Sequence, residues 1–226
     1  MGLELYAKVE SLLGFQKERE LLYRVFLEKL DRLGVKSVLD VGCGSGAFME
    51  LASKKGYEIE GVDLSVEMVK RANEKNLNCM VGTVADVKKR YEAAVAVFDV
   101  LNYIPPDEIG SFLKSVANSL EPGGYFLCDI NTLFGFEEVA QGALWVDDKN
   151  EFVAVDAEFR EGILKSDIIY FYKDVSGCYK KAKDSITQYY HDVNQLKVKE
   201  LEIVDIDFVS LFSDEADKAV LTYKRV

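Results

Sequence analysis

A run of glycines set between two carboxylates is the chemical centre of this sequence. Asp40 closes the apolar stretch Val38-Leu39-Asp40-Val41, Gly42-Cys43-Gly44-Ser45-Gly46 follows, and Asp63 ends Glu58-Ile59-Glu60-Gly61-Val62-Asp63. The pattern reads as a buried strand, a tight turn, a helix, a second strand and an acid at that strand's end. Glycine suits such a turn because it adopts positive φ freely and, lacking a Cβ, lets a ligand lie against the backbone. A carboxylate at the end of the second strand is placed to accept hydrogen bonds from the two hydroxyls of a ribose.

Two kinds of ligand satisfy the glycines alone. Gly42, Gly44 and Ala47 fit the dinucleotide spacing G-x-G-x-x-A, with Asp63 at the ribose. Asp40 argues against a pyrophosphate, which seeks a free helix N-terminus and would be repelled by a neighbouring carboxylate. A ligand with a sulfonium and an α-ammonium would be attracted there instead.

Elements around the loop continue the alternation. Residues 3 to 13 and 15 to 33 read as helices, the second with apolar Leu22, Val25, Phe26, Leu30 and Leu33 and with Gly34 as its stop. Strands are expected at 37–41, 58–62, 78–81, 93–98 and 125–130, and helices at 47–55, 65–75 and from Pro105-Pro106 to about 120. Residues 201–208 and 218–224 read as two more strands whose connection is too short for a crossover helix, so they pair antiparallel. This gives a doubly wound, mostly parallel α/β sheet of seven strands with an antiparallel last strand. Between the fifth and sixth strands, 151–159, 163–173 and 178–190 alternate apolar and polar, which predicts a three-stranded antiparallel insertion carrying Phe152, Tyr170, Tyr172, Tyr179, Tyr189 and Tyr190. The expected organisation is 1–34 as N-terminal helices, 35–146 with 197–226 as the cofactor-binding α/β domain, and 147–196 as a β-rich substrate cover.

The phrases Val97-Phe98-Asp99-Val100-Leu101-Asn102-Tyr103-Ile104, Leu120-Glu121-Pro122-Gly123-Gly124 and Cys128-Asp129-Ile130-Asn131-Thr132 follow the glycine motif in order. Together with it, from Val38 to Thr132, they resemble the small-molecule group of the class I S-adenosylmethionine-dependent methyltransferases. The reversed final strand is also that family's pattern. The resemblance implies S-adenosylmethionine as cofactor, with Gly42, Cys43, Gly44 and Gly46 along its methionine portion. It places Asp40 at the loop or the α-ammonium, Asp63 at the ribose, Leu64 against the adenine, and Phe98 at the end of the fourth strand beside the cofactor. The family's Gly-Asp after the third strand is replaced by Gly82-Thr83, so the adenine-side acid is expected at Asp86, which could otherwise cap a helix over 87–91.

On the acceptor side the candidates are Tyr103, Asn131 and Asp99, at strand ends where open α/β sheets bind ligands. His191, the single histidine, is the one base of suitable pKa should an alcohol or phenol be methylated; otherwise it is a surface or interface residue. Rival readings are a nicotinamide oxidoreductase and a non-catalytic S-adenosylmethionine-binding protein.

Composition narrows the partners. The net charge of −11 opposes nucleic-acid phosphate, and Lys180-Lys181-Ala182-Lys183 reads as a solvated turn. No apolar run is long enough for a bilayer, the N-terminus lacks a signal-peptide pattern, and Gly2 lacks the serine or threonine of a myristoylation site. Scattered Cys43, Cys79, Cys128 and Cys178 make no metal motif and suit a reducing cytoplasm. The expected partner is a small-molecule methyl acceptor, handled by a monomer or homodimer.

Overall fold

The computed structural model describes residues 2–226; Met1, the first residue of the expected N-terminal segment, lies outside them. Seven strands form the main sheet: β1 Ser37–Val41, β2 Glu58–Asp63, β3 Cys79–Val81, β4 Tyr91–Ala96, β5 Leu120–Asn131, β10 Leu201–Val209 and β11 Lys218–Arg225. Their spatial order is β10-β11-β5-β4-β1-β2-β3. The first five strands pair in parallel, and β11 runs antiparallel to both β5 and β10. The doubly wound sheet with its reversed last strand is therefore as the sequence predicts.

Burial on both faces explains the apolar composition of the central strands. On one side α2 (Gln16–Leu33) and α3 (Ala47–Lys54) lay Leu22, Phe26, Leu30, Phe48 and Ala52 on Val38, Ala93, Val95, Leu127 and Val220. On the other, Leu113, Val116 and Ala117 of α5 (Ile109–Asn118) pack with Leu39, Ala94, Phe126 and Tyr223. α4 (Val66–Glu74) is capped by Ser65, whose Oγ accepts the Met68 N–H at 3.2 Å.

The insertion departs from the expectation. It is a four-stranded antiparallel sheet of β6 Gly142–Asp148, β7 Glu151–Arg160, β8 Ile163–Lys173 and β9 Tyr179–Tyr189. Its start is Gly142 and not residue 147, because Leu144 and Val146 point inward with Val153 and Val155 while Trp145 stays outside, 71% exposed. The first helix also ends early: α1 spans Leu3–Val9 and a 3₁₀ turn, Glu10–Leu12, follows. α1 and this turn cover the inner face of the second sheet, where Leu5, Val9 and Leu13 meet Val153, Ile168, Tyr170 and Ile186. Phe136, in a π-helical turn at Gly135–Ala140, stacks on Phe159 at 5.0 Å and meets Tyr190 edge-on, joining the two sheets. Among the described residues no helix is long and apolar enough to cross a membrane.

Candidate active site

The glycine loop leaves β1 with Gly42, Gly44 and Gly46 all at positive φ (75°, 51° and 79°), a conformation L side chains disfavour. The Gly42 and Cys43 N–H groups donate to the Val62 carbonyl at 2.8 and 3.2 Å, binding the loop to β2. Asp63 takes the Gly44 N–H on Oδ2 and the Ser65 N–H on Oδ1, both at 2.8 Å. One carboxylate thus holds the loop and the start of α4 together. Burial raises its pKa, and the two backbone donors oppose that rise. Each oxygen keeps a second lone pair for a further donor, as a ribose diol requires.

Several features fit S-adenosylmethionine. Asp40 is 2% exposed and its Oδ2 has no hydrogen-bond partner, which costs free energy unless a donor arrives. Burial, then Cys79 and Asp63 nearby, push its carboxyl well above the usual range, so an ammonium at this point would satisfy and ionise it. A Cβ built on Gly44 would meet nothing within 4 Å, which leaves the loop open on that side. Leu64 is 56% exposed, and Met80 and Val81 at the end of β3 are exposed beside it. They offer an apolar surface for a purine.

Asp86 stands differently from its expected place. Its Oδ2 accepts both the N–H and the hydroxyl of Thr83 at 2.9 Å, a capping box on the 3₁₀ turn Val84–Asp86. Those bonds hold its pKa below the ordinary value. No helix forms over 87–91, since Val87 is already extended. Thr83 is the cap residue, and Asp86 reciprocates.

Strand four ends two residues before the expected 98. Phe98 and Asp99 both take left-handed backbone, φ 72° and 67°, because the Asp129 carboxylate accepts their N–H groups at 2.6 and 3.1 Å. Lys218 of β11 pairs with Asp129 at 3.3 Å and with Asp99, and its Nζ lies 5.2 Å from the Phe98 ring centroid. This cluster fixes the 3₁₀ turn Val100–Tyr103 over the glycine loop, where a Cβ on Gly42 would strike Val100. Neither Lys218 nor Asp129 stands out in the sequence, because a lysine opening a strand ordinarily faces water.

The acceptor-side candidates separate into two roles. Asn131 lies at the end of β5, its N–H donating to Asn102 Oδ1 at 2.9 Å, while Asn102 Nδ2 donates to the Tyr189 carbonyl at 2.8 Å. His191 is buried, and its Nε2–H is shared by the Leu101 and Ile104 carbonyls at 3.0 Å each. Burial lowers its pKa, against the rise these carbonyls cause. That nitrogen is committed to holding the turn. Tyr103 reaches the other way, into the core under α1, where burial and then Tyr6 and Glu10 raise its pKa.

The N-terminal helices, which sequence periodicity did not single out for the site, pack next to it: Tyr6 and Tyr103 lie in one apolar cluster. Glu10 pairs with Arg19 at 2.5 Å. Tyr6 is pushed up to about 12 by burial and Glu10, against Arg19. Tyr23 meets the Phe48 ring edge-on at 5.5 Å, and its pKa is raised by burial and, more weakly, by Asp40, Glu10 and Asp129, against Arg19. α1 is fastened at both ends: Arg71 of α4 donates to the Ala7 carbonyl at 3.1 Å, and the Gly2 N–H donates to the Ser185 carbonyl of β9 at 3.2 Å. Four of the insertion's aromatics pack with each other, Tyr170 on Tyr172 and Phe152 against Phe171.

Comparison with known proteins agrees with this geometry. Residues 15–156 match the family described as "Methyltransferase domain". A putative methyltransferase of Geobacillus sp. (strain WCH70) is 22% identical over 204 residues, 84% of this chain and 83% of its own. A dTDP-3-amino-3,4,6-trideoxy-alpha-D-glucopyranose N,N-dimethyltransferase of Streptomyces venezuelae is 31% identical over 93 residues, 39% of each chain. The crystal structure of an S-adenosylmethionine-dependent methyltransferase from Clostridium acetobutylicum ATCC 824 superposes with a TM-score of 0.82 at 21% identity, covering 98% of both chains. The family match runs through the glycine loop, Asp63 and Asp129, and with it the chain belongs to the class I S-adenosylmethionine-dependent methyltransferases, with S-adenosylmethionine as its cofactor.

Proposed function

We propose that this protein methylates a small molecule at an amine, by in-line displacement under the roof formed by α1 and the start of α2. The observation that carries the reading is the chemistry of that roof. Tyr6 and Tyr23 of the roof, and Tyr103 in the core beneath it, have pKa values raised by burial, so they keep their protons at neutral pH. His191 is buried at 3% exposure, its Nε2–H is held by two carbonyls, and burial lowers its pKa and weakens it as a base. An alcohol needs a base to become a nucleophile; a neutral amine attacks with its own lone pair.

The cofactor supplies the electrophilic methyl group. The chain supplies alignment and exclusion of water. Asp40 and the glycine loop hold the methionine end, Asp63 the ribose, and Leu64 with Val81 the purine. Phe98, Asn131 and Asp99 border the reacting end, and the tyrosine faces attract a cationic amine before it loses its proton. Residues 142–189 act as the cover in an indirect way, since they carry α1. The amino-sugar activity named for the Streptomyces venezuelae relative supports an amine. The free thiols support a reducing compartment, taken to be the cytoplasm.

A matched screen of primary and secondary amines against the corresponding alcohols, read as S-adenosylhomocysteine formed, tests this. Amines should turn over, with kcat/KM rising with pH towards the amine's own pKa. Turnover of the alcohols alone refutes the amine assignment. Tight S-adenosylhomocysteine binding without transfer to any acceptor refutes the catalytic one.

A further inference from the structure

Where the glycine loop meets β3, two thiols lie in contact that the methyl-transfer chemistry does not use. Cys43 Sγ is 3.3 Å from Cys79 Sγ, and Cys79 Sγ is 3.3 Å from Met49 Sδ. Gly61 makes the room: a Cβ there would lie 2.7 Å from both Cys43 Sγ and Met49 Sδ. We propose that Cys43 and Cys79 form a reversible disulfide on exposure to a hydroperoxide, and that this bond locks the glycine loop in a form that binds the cofactor poorly.

The geometry sets which partner moves. Cys79 opens β3, and its backbone is held on both sides by Asn73 of α4, which accepts its N–H at 3.0 Å and donates to its carbonyl at 3.1 Å. Cys43 sits in the loop: its carbonyl accepts the Gly46 N–H at 2.9 Å within the loop itself, and its N–H, donating to the Val62 carbonyl at 3.2 Å, is its one backbone bond to the sheet. A disulfide needs about 2.05 Å between sulfurs, so closing the present 3.3 Å gap draws the loop towards β3. Gly44, next in sequence, then moves relative to Asp63, its partner at 2.8 Å. Cys79 is also the better initial nucleophile. The hydrogen bond from Cys43 holds its thiol below the usual value, while the same bond and burial push Cys43 up.

The chemistry balances with the peroxide as sole oxidant. The Cys79 thiolate attacks one peroxide oxygen, the O–O bond breaks, and a sulfenic acid forms with release of hydroxide. Cys43 sulfur then attacks the Cys79 sulfur. The S–O bond breaks, the thiol proton leaves with the oxygen as water, and the S–S bond remains. Two thiols and one hydroperoxide give one disulfide and two waters, or one water and an alcohol from an organic hydroperoxide. A dithiol restores the pair by exchange. Both sulfurs are buried, yet Cys43 borders the open side of the loop at Gly44, so a bound cofactor should shield them.

The affinity consequence rests on the cofactor role of the loop; the bond itself does not. The folded full-length chain would be treated with hydrogen peroxide, digested without reduction and mapped by tandem mass spectrometry. S-adenosylhomocysteine binding would be measured by calorimetry before oxidation, after it, and after dithiothreitol. We expect a Cys43–Cys79 cross-link, slower to form with S-adenosylhomocysteine present, and at least a tenfold loss of affinity that dithiothreitol reverses. Cys79→Ala should show no link and keep its affinity through peroxide treatment. A link seen only after denaturation overturns the proposal, as does a link that leaves affinity unchanged. Failure of untreated protein to bind S-adenosylhomocysteine would instead strike the cofactor reading, while the mapping still decides whether the bond forms.

Discussion

The Asp129 carboxylate and the Lys218 ammonium meet 3.3 Å apart at 0% and 1% exposure, where the carboxyl end of β5 lies beside the amino end of the antiparallel β11. The pair is costly to bury, and its return is conformational. Asp129 accepts two N–H groups from Phe98 and Asp99, whose left-handed backbone an ordinary strand end would not tolerate.

Removing one partner of a buried pair strands the other, which typically costs about 3–5 kcal/mol. Lys218→Met should therefore lower urea stability by about that much, whereas Lys218→Met with Asp129→Asn should recover part of it. Chemical denaturation of the two variants measures the difference. A loss below about 1 kcal/mol for the single variant contradicts a buried, ionised pair.

Asp63→Ala should weaken S-adenosylhomocysteine binding at least tenfold. Charge-assisted hydrogen bonds to a ribose are worth about 1.5–3 kcal/mol each, and the Gly44 N–H loses its anchor as well. Calorimetry gives the constant, and circular dichroism shows whether the fold is kept. An unchanged constant would mean that the ribose lies elsewhere.

His191 ties stability to pH. Its folded pKa is lowered by burial, so the unfolded chain takes up the proton first as pH falls. The contribution is intact above the unfolded histidine's pKa of about 6.5 and declines below it, by at most about 1.4 kcal/mol per pH unit. Asp40 and Asp129, both raised by burial, titrate in the opposite sense, so only a difference isolates the histidine. His191→Gln, compared with the parent between pH 7 and pH 5, should lose less stability as pH falls. Parallel curves would show that the histidine gains its proton in the folded state as readily as in the unfolded one.

Asn102→Ala would leave the Tyr189 carbonyl and the Asn131 N–H without their partner, at about 1–3 kcal/mol for each group left buried and unpaired. Amide hydrogen exchange should rise at Asn131, whose own N–H is freed, and along β9 near Tyr189. Exchange as slow as in the parent would show that the side chain is not the bridge between the sheets.

The glycine turn and the acid that follows it were legible in the sequence because their geometry is local. Gly42 to Gly46 need positive φ within one turn, Asp63 follows at the end of the next strand, and a few consecutive residues specify both. The seven-stranded sheet with its antiparallel last strand was legible for a related reason: apolar runs buried on two faces, separated by helical periods, admit few arrangements. β6 was missed since one outward Trp145 and two inward apolar residues give too short an alternation to register. The surroundings of the strand ends were decided by tertiary structure. Tyr6, Glu10, Arg19 and Tyr23 acquire a role only when α1 is laid across the second sheet, and Lys218 only when β11 sets it beside Asp99 and Asp129. Sequence periodicity reports which face of an element is buried; it carries no information on which distant carboxylate will be found there, because that depends on how the two sheets and the N-terminal helices pack.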